Sequence, residues 1–310
     1  MSQLSFENKV ALVTGVSRGG LGFRYARDLA ARGCHVVVND LGVDWRGALG
    51  EAETKTVVEA LRAGGAEVHG VTGDVVEDSA RIVAETVDRF GKLDILVNNA
   101  GAGGDFEQQV QVHLVGAHRM SDAAWPHLVA SGSAAIVNIS SAGSYGAPAM
   151  PGYAAAKGGI ISLTRTQAII GAPHGVRSNV ILPNGRTGAT DTISVKGFQD
   201  FMTDLFGGDW VSSFVTYLLH SSCDVTGQGF AVGGGLVTRV VQAENAGATV
   251  DEASAEAWQD VIGDIMSNAD WTVASTMWEQ VQHFSRKLSP EAFARWEELG
   301  IDLAVTGRAH

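Results

Sequence analysis

Cysteine is nearly absent: Cys34 and Cys223 are the only two in 310 residues. A pair cannot build a disulfide framework, and the scarcity fits a reducing compartment. No run of about 18 apolar residues occurs. The opening Met1-Ser2-Gln3-Leu4-Ser5-Phe6-Glu7 lacks a basic region leading into an apolar stretch. We expect a cytoplasmic protein with no membrane partner. Basic residues are also in deficit: 22 Lys and Arg stand against 34 Asp and Glu, a net charge of −12. That balance argues against nucleic acid and anionic membrane surfaces as partners. The nine histidines are scattered without His-Glu-x-x-His, and Cys-x-x-Cys is missing, so no metal site is expected. Internal repeats and low-complexity tracts are lacking as well. What is plentiful is apolar residues (45%) and glycine (39 residues), enough for one substantial core and many tight turns.

Short apolar runs alternate with longer amphipathic segments. Val10–Val13, Val36–Val38, Ala66–Val71, Ile95–Val97, Ala135–Ile139 and Val180–Leu182 are continuous or nearly so, as strands buried on both faces should be. A last strand is expected over Gly229–Val232. Leu21–Arg32, Glu51–Arg62 and Ala80–Phe90 read as helices. The alternation predicts an α/β fold, a Rossmann-type doubly wound parallel sheet of about seven strands. Ligand should bind at the carboxyl ends of those strands. This domain should span residues 1–240. Residues 241–310 read as a helical C-terminal extension for oligomerisation or for a lid. Within it Asp251–Met266 places Trp258, Val261, Ile262 and Ile265 on one face, and Ser289-Pro290 is a helix start. The tail holds Trp258, Trp271, Trp278 and Trp296, four of the seven tryptophans.

Thr14-Gly15-Val16-Ser17-Arg18-Gly19-Gly20-Leu21-Gly22 follows the first strand and opens the first helix. Glycines there permit a tight turn and close approach of a pyrophosphate, which the helix N-terminus attracts with its unpaired N–H groups. Asp40 ends the second strand, 18 residues after Gly22. Its carboxylate can accept both ribose hydroxyls and repels a 2′-phosphate, favouring NAD over NADP. Arg18 is a counter-signal, since a basic residue in the loop can meet a 2′-phosphate. Leu41 stands where an NADP enzyme would more often place Arg.

Tyr153-Ala154-Ala155-Ala156-Lys157 puts a phenol and an ammonium one helical turn apart on one face. A cation beside a phenol favours the phenolate, so Lys157 is expected to lower the Tyr153 pKa toward the range needed for general acid/base work. Ser140 and Ser141 lie upstream at a strand end.

Together these motifs resemble the short-chain dehydrogenase/reductase family over roughly residues 5–240. The resemblance rests on the Thr14–Gly22 loop, Asp74-Val75, Asn98-Asn99-Ala100-Gly101, Ser140-Ser141, Tyr153-x-x-x-Lys157 and Asn179-Val180-Ile181-Leu182-Pro183. Val38-Asn39-Asp40-Leu41-Gly42, Ala124-Trp125 and Pro183-Asn184 look like the (3R)-hydroxyacyl-CoA dehydrogenase branch carried by peroxisomal multifunctional enzymes of type 2. The resemblance implies that Asp74 and Val75 contact adenine, and that Asn99, Ala100 and Gly101 line the adenosine and ribose region. It implies that Tyr153 exchanges the proton, that Lys157 holds the nicotinamide ribose, and that a serine hydrogen-bonds the substrate oxygen. Thr190 or Thr187, after Pro183, would meet the carboxamide. A homodimer or homotetramer is implied as well.

Three departures from the family pattern stand out. Thirteen residues back from Tyr153, the family spacing, falls on Ser140, whereas the strand end aligns Ser141. Alternation sends the two side chains to opposite faces, so one serves, and Ser141 is preferred. His113 stands where the family has a helix asparagine that supports a water-linked proton path; it can hold the same water or titrate itself. The stretch from Gly101 to His113 is shorter than the family's by about ten residues, which should open the substrate pocket or change the oligomer.

The expected reaction is NAD(H)-dependent interconversion of a secondary alcohol and a ketone on a lipophilic small molecule. Candidates are a 3-hydroxyacyl thioester, a steroid or terpenoid alcohol, or a polyketide-like ketone. Ile193, Phe198, Phe201, Met202, Leu205 and Phe206 in Gly185–Asp209 suit a closing substrate loop. The alternatives are a dehydratase or cyclase on the same scaffold, and a dinucleotide-binding sensor without turnover.

Overall fold

The computed structural model describes residues 3–42, 51–63, 65–185, 195, 197–267 and 270–301. The order is β1 (Val10–Thr14), α1 (Leu21–Ala30), β2 (His35–Asp40), α2 (Glu51–Arg62), β3 (Val68–Thr72), α3 (Ser79–Phe90) and β4 (Ile95–Asn98). Then come α4 (Phe106–Val110), a π-helical turn (Gln111–Val115), α5 (Gly116–Ser131), β5 (Ala134–Ile139) and α6 (Pro151–Gly171). β6 (Val176–Pro183), α7 (Phe198–Leu205), α8 (Gly208–Leu219), β7 (Gly229–Gly233) and β8 (Leu236–Val240) follow. The sheet order is β3-β2-β1-β4-β5-β6-β7-β8, with every pair from β3 to β7 parallel. The order reverses between β1 and β4, which opens a crevice at their carboxyl ends.

Side-chain alternation divides the core between the two faces. Ala11, Val13, Ile95, Val97, Ala135 and Val137 pack with Tyr25 and Leu29 of α1 and Val211 and Val215 of α8. Val10, Leu12, Leu96, Ala134 and Ile136 pack with Ile82 of α3 and Met120 and Leu128 of α5. Both faces are covered, which is why these strands read as unbroken apolar runs. The eighth strand, one more than expected, returns through Gly234-Gly235, both at positive φ (57° and 79°), the conformation of a two-residue hairpin turn. Most of its residues are exposed, so it lacks the buried alternation that marks a strand in sequence.

The chain divides into two compact units, residues 1–239 and 240–310. In the second, β9 (Ala243–Glu244) pairs antiparallel with β10 (Thr272–Val273), a small sheet that the helical reading of the tail does not contain. Its helices are α9 (Ala255–Met266), α10 (Met277–Leu288) and α11 (Pro290–Glu298). Ser254, Thr276 and Ser289 cap them, each accepting a backbone N–H of the first turn. Trp296 is buried beside Trp278. On α9 Val261 and Ile265 are half-buried while Trp258 and Ile262 are exposed, so the expected single apolar face splits in two. Among the described residues no helix is long and apolar enough to cross a membrane.

Candidate active site

The loop between β1 and α1 is braced by the segment after β4. Thr14 Oγ1 accepts the N–H groups of Asn99 and Ala100 at 3.0 and 3.1 Å. Asn99 Nδ2 donates to the carbonyls of Thr14 and Gly15 at 2.9 and 2.8 Å. The Asn99 amide thus shapes the loop. Gly15 has φ +66°, and a Cβ there would lie 2.5 Å from Ala100 Cα. Gly22 is equally tight, 2.7 Å from Asn99 Nδ2. Gly20, at the start of α1, offers no side-chain cap, which leaves the first N–H groups of the helix for a ligand. Its N–H closes a turn on the Ser17 carbonyl at 3.1 Å, and Ser17 and Arg18 are exposed on that turn. Gly19 in the same turn would meet nothing within 4 Å. These residues fit a dinucleotide pyrophosphate: uncapped helix N–H groups, bare glycines and open space.

Asp40 sits at the end of β2, its Oδ1 accepting the Gly42 N–H at 3.0 Å, with Leu41 exposed beside it. After β3, Asp74 Oδ1 accepts the N–H groups of Val76 and Glu77. The Val75 side chain is buried in the core against Gly116, so only its backbone remains for a ligand. Pro183 ends β6. Thr187, Thr190 and Ile193 lie outside the described residues. Of the expected closing segment, α7 turns Met202 inward and leaves Phe201 and Leu205 exposed.

The second half of the site is built on α6. Ser140 continues the β5–β6 pairing and is buried, its Oγ donating to the Lys157 carbonyl at 2.7 Å. Ser141 faces the other way: its Oγ accepts the Gly143 N–H at 3.0 Å, and its hydroxyl is near enough to the Tyr153 phenol to favour the phenolate. Strand alternation thus separates the two serines as expected, and it is Ser141 that meets Tyr153. Gly143 must be bare, because a Cβ there would lie 2.7 Å from the Tyr153 ring.

Lys157 is 4% exposed, with Nζ donating to the Ile139 carbonyl at 2.7 Å and lying 5.5 Å from the centre of the Tyr153 ring. Burial lowers its pKa to about 7. Tyr153 moves the other way: burial raises its pKa, and the Ser141 hydroxyl only partly offsets this. This corrects the expectation that Lys157 depresses the phenol. Desolvation of the phenolate dominates.

His113 lies in the π-helical turn, 6% exposed, its ring edge-on to Tyr153 with centroids 5.1 Å apart. Burial, reinforced by the charge of Lys157, lowers its pKa to about 3. The ring is therefore neutral across working pH, and Nε2 carries its proton, donating to the Ala102 carbonyl at 3.0 Å. Nδ1 is then a buried acceptor with no protein partner. Of the two roles expected for His113, holding a water remains and titration near neutrality does not. Gly101 makes room for the ring, since a Cβ would meet it at 2.6 Å.

Gln109 escaped the sequence reading. It is 7% exposed, accepts the Tyr153 N–H at 2.7 Å and donates to the Gly104 carbonyl at 3.0 Å. The available signal was its place one turn before His113 in the segment flagged as short.

A dinucleotide cradle at the switch point of a parallel sheet, beside a Ser–Tyr–Lys constellation, defines an oxidoreductase of alcohols and carbonyls. The profile of the family described as short chain dehydrogenase matches residues 9–197. The chain belongs to that family. It is 33% identical over 304 residues to the mouse peroxisomal multifunctional enzyme type 2, covering 94% of this chain and 39% of that protein. It is 31% identical over 248 residues to a 3-oxoacyl-acyl-carrier-protein reductase of Staphylococcus aureus, covering 74% of this chain and 98% of the reductase. The solved structure of the full-length multifunctional enzyme type 2 of Drosophila melanogaster superposes with a TM-score of 0.75 at 26% identity. It covers 95% of this chain and 51% of that one, so the chain spans about half the length of that relative or less. The protein is thus a short-chain dehydrogenase/reductase, similar to peroxisomal multifunctional enzymes of type 2. Family membership points to a nicotinamide dinucleotide as cofactor.

Proposed function

We propose that the protein is an NAD(H)-dependent oxidoreductase interconverting a secondary alcohol and a ketone on a lipophilic substrate, with Tyr153 as the proton carrier. The observation that carries this is Tyr153 set between two groups: Lys157 Nζ 5.5 Å from the ring centre, and Gly143, which touches the ring while its N–H holds the Ser141 hydroxyl. The dinucleotide, when bound, supplies or accepts the hydride. In the reductive direction the Tyr153 hydroxyl donates its proton to the substrate oxygen as the carbinol C–H forms. Ser141 donates a hydrogen bond to that oxygen and stabilises its developing charge. Lys157, held by the Ile139 carbonyl, places positive charge behind the phenolate and beside the expected ribose position. A water donating to His113 Nδ1 would connect this group with solvent and return the proton.

The Asp40 carboxylate at the end of β2 supports NAD over NADP through repulsion of a 2′-phosphate. Exposed Tyr145 and Met150 lie in the stretch that joins Ser141 to Tyr153, and exposed Phe106 starts α4, which rests on the first turn of α6; these support a lipophilic substrate. The 3-oxoacyl reductase among the relatives favours a 3-hydroxyacyl thioester over a steroid, terpenoid or polyketide-like ketone. We also read the protein as a homodimer or homotetramer, since Trp210, Tyr217 and Leu236 are exposed on its first unit. Cytoplasmic residence rests on the two free, buried cysteines; fractionation that recovered the protein with peroxisomes would contradict it.

The test is product mass. A shift of two hydrogens with matching NADH consumption is expected; loss or gain of water with NADH unchanged would mean a dehydratase on this scaffold.

A further inference from the structure

We infer that Gln109 is a positioning residue for Tyr153: its side-chain amide ties the loop after β4 to the backbone that carries the phenol. The inference rests on the reading of Tyr153 as proton carrier. α6 begins poorly capped. Met150 makes no side-chain cap, Pro151 has no N–H, and Tyr153 at the third helical position carries an N–H without an intrahelical partner. Gln109 Oε1 takes that N–H at 2.7 Å from another helix. Its Nε2 is committed to the Gly104 carbonyl at 3.0 Å, so both ends of a buried amide are in use.

The approach is close. A Cβ on Gly152 would lie 2.6 Å from the Phe106 carbonyl oxygen, so α4 rests directly on the first turn of α6. The Asp105–Gln108 capping box fixes the start of this five-residue helix. One turn further on, His113 repeats the arrangement, gripping the Ala102 carbonyl while its ring meets Tyr153. Two turns of one segment thus hold carbonyls 102 and 104 on one side and Tyr153 on the other. Any shift of residues 101–104, which follow the strand facing the cofactor crevice, passes through the Gln109 amide to the Tyr153 main chain. A displacement of about 1 Å at a reacting group costs roughly 100-fold in rate. The short loop gains a role here: it brings α4 close enough for this contact.

The test compares Gln109→Leu, which loses both bonds, with Gln109→Glu in the full chain. A protonated glutamate can replace both bonds; an ionised one loses the donor to Gly104. Gln109→Leu is expected to lower kcat by about 10- to 100-fold, with the KM for NADH within a few-fold of wild type. Gln109→Glu should recover most of kcat at low pH and lose it as pH rises. A readout independent of turnover is fluorine NMR of protein labelled with fluorotyrosine, whose more acidic phenol titrates in a convenient range. The Tyr153 signal, assigned by its absence in Tyr153→Phe, should titrate at higher pH in Gln109→Leu as the phenol moves off the Ser141 hydroxyl. If Gln109→Leu does not fold, the pH-dependent rescue in Gln109→Glu and its Tyr153 titration decide. Unchanged kcat and unchanged Tyr153 titration alongside a lowered melting temperature would overturn the inference and make Gln109 an ordinary helix cap. If wild-type protein consumes no NADH with any ketone, the proposed function falls, and the fluorine titration still decides the role of Gln109.

Discussion

Tyr153 carries its proton firmly in this structure because burial penalises the phenolate more than the Ser141 hydroxyl favours it. The sign follows for each direction of reaction. Ketone reduction needs the protonated phenol, so it should hold through neutral pH and fall only above the raised Tyr153 pKa. Alcohol oxidation needs the phenolate and should climb with pH through the alkaline range; an oxidation rate flat from neutral to alkaline pH would contradict this. Tyr153→Phe should lower turnover by about 10²- to 10⁴-fold while NADH still binds, as fluorescence titration would reveal. Ser141→Ala should cost about 10²- to 10³-fold in kcat. Ser140→Ala should leave kcat within a few-fold and cost about 1 kcal/mol of stability, since its bond is to the Lys157 carbonyl. The reverse ranking would mean that Ser140 meets the substrate. Tyr153, Lys157 and the serine pair were legible because a fixed helical spacing and a strand end present them. Gln109 and Gly143 were not, because each acts across a tertiary contact to Tyr153 that no local pattern records.

At the scale of elements, the β1–α1 turn ties sequence most directly to ligand. Gly15→Ala would put a Cβ 2.5 Å from Ala100 Cα in a left-handed backbone conformation. We expect NADH binding at least about 10-fold weaker as the braced loop shifts, a change of about 1.4 kcal/mol; isothermal titration that found unchanged affinity would remove this loop from the cofactor site. Asp40→Ala should relax the preference for NADH over NADPH, and a retained preference would transfer the discrimination to Arg18 or another group. The strands of the central sheet were legible because burial on both faces leaves nearly all side chains apolar, Thr14 and Asn138 being the polar members of β1 and β5. β8 was missed because its residues are exposed, and α4 was not distinguished within the shortened stretch before His113 because five helical residues carry too little periodicity.

For the whole molecule, Asp94 anchors the amino ends of the central strands β1, β4 and β5, opposite the active site. Burial pushes its pKa up, but the Ser131 hydroxyl, the Val10 N–H and the ammonium groups of Lys92 and Lys9 outweigh it and hold the carboxyl below the usual range. A group depressed on folding stabilises above its unfolded pKa of about 4. That contribution is lost as pH falls through the lower folded value. Asp94→Asn should cost about 2 kcal/mol near neutrality and flatten the acid limb of the urea-midpoint profile; an unaltered profile would assign acid sensitivity elsewhere. Sedimentation velocity should give the mass of a dimer or tetramer of the 310-residue chain, and a monomer at micromolar concentration would contradict the oligomer proposal. The most direct test of the central claim is nicotinamide absorbance with NADH and NADPH separately, against acetoacetyl-CoA and a panel of lipophilic ketones, wild type beside Tyr153→Phe. The account predicts oxidation of NADH by wild type with at least one ketone and near-silence from Tyr153→Phe. Tight NADH binding with no oxidation by any ketone, or equal rates from the two proteins, would contradict it.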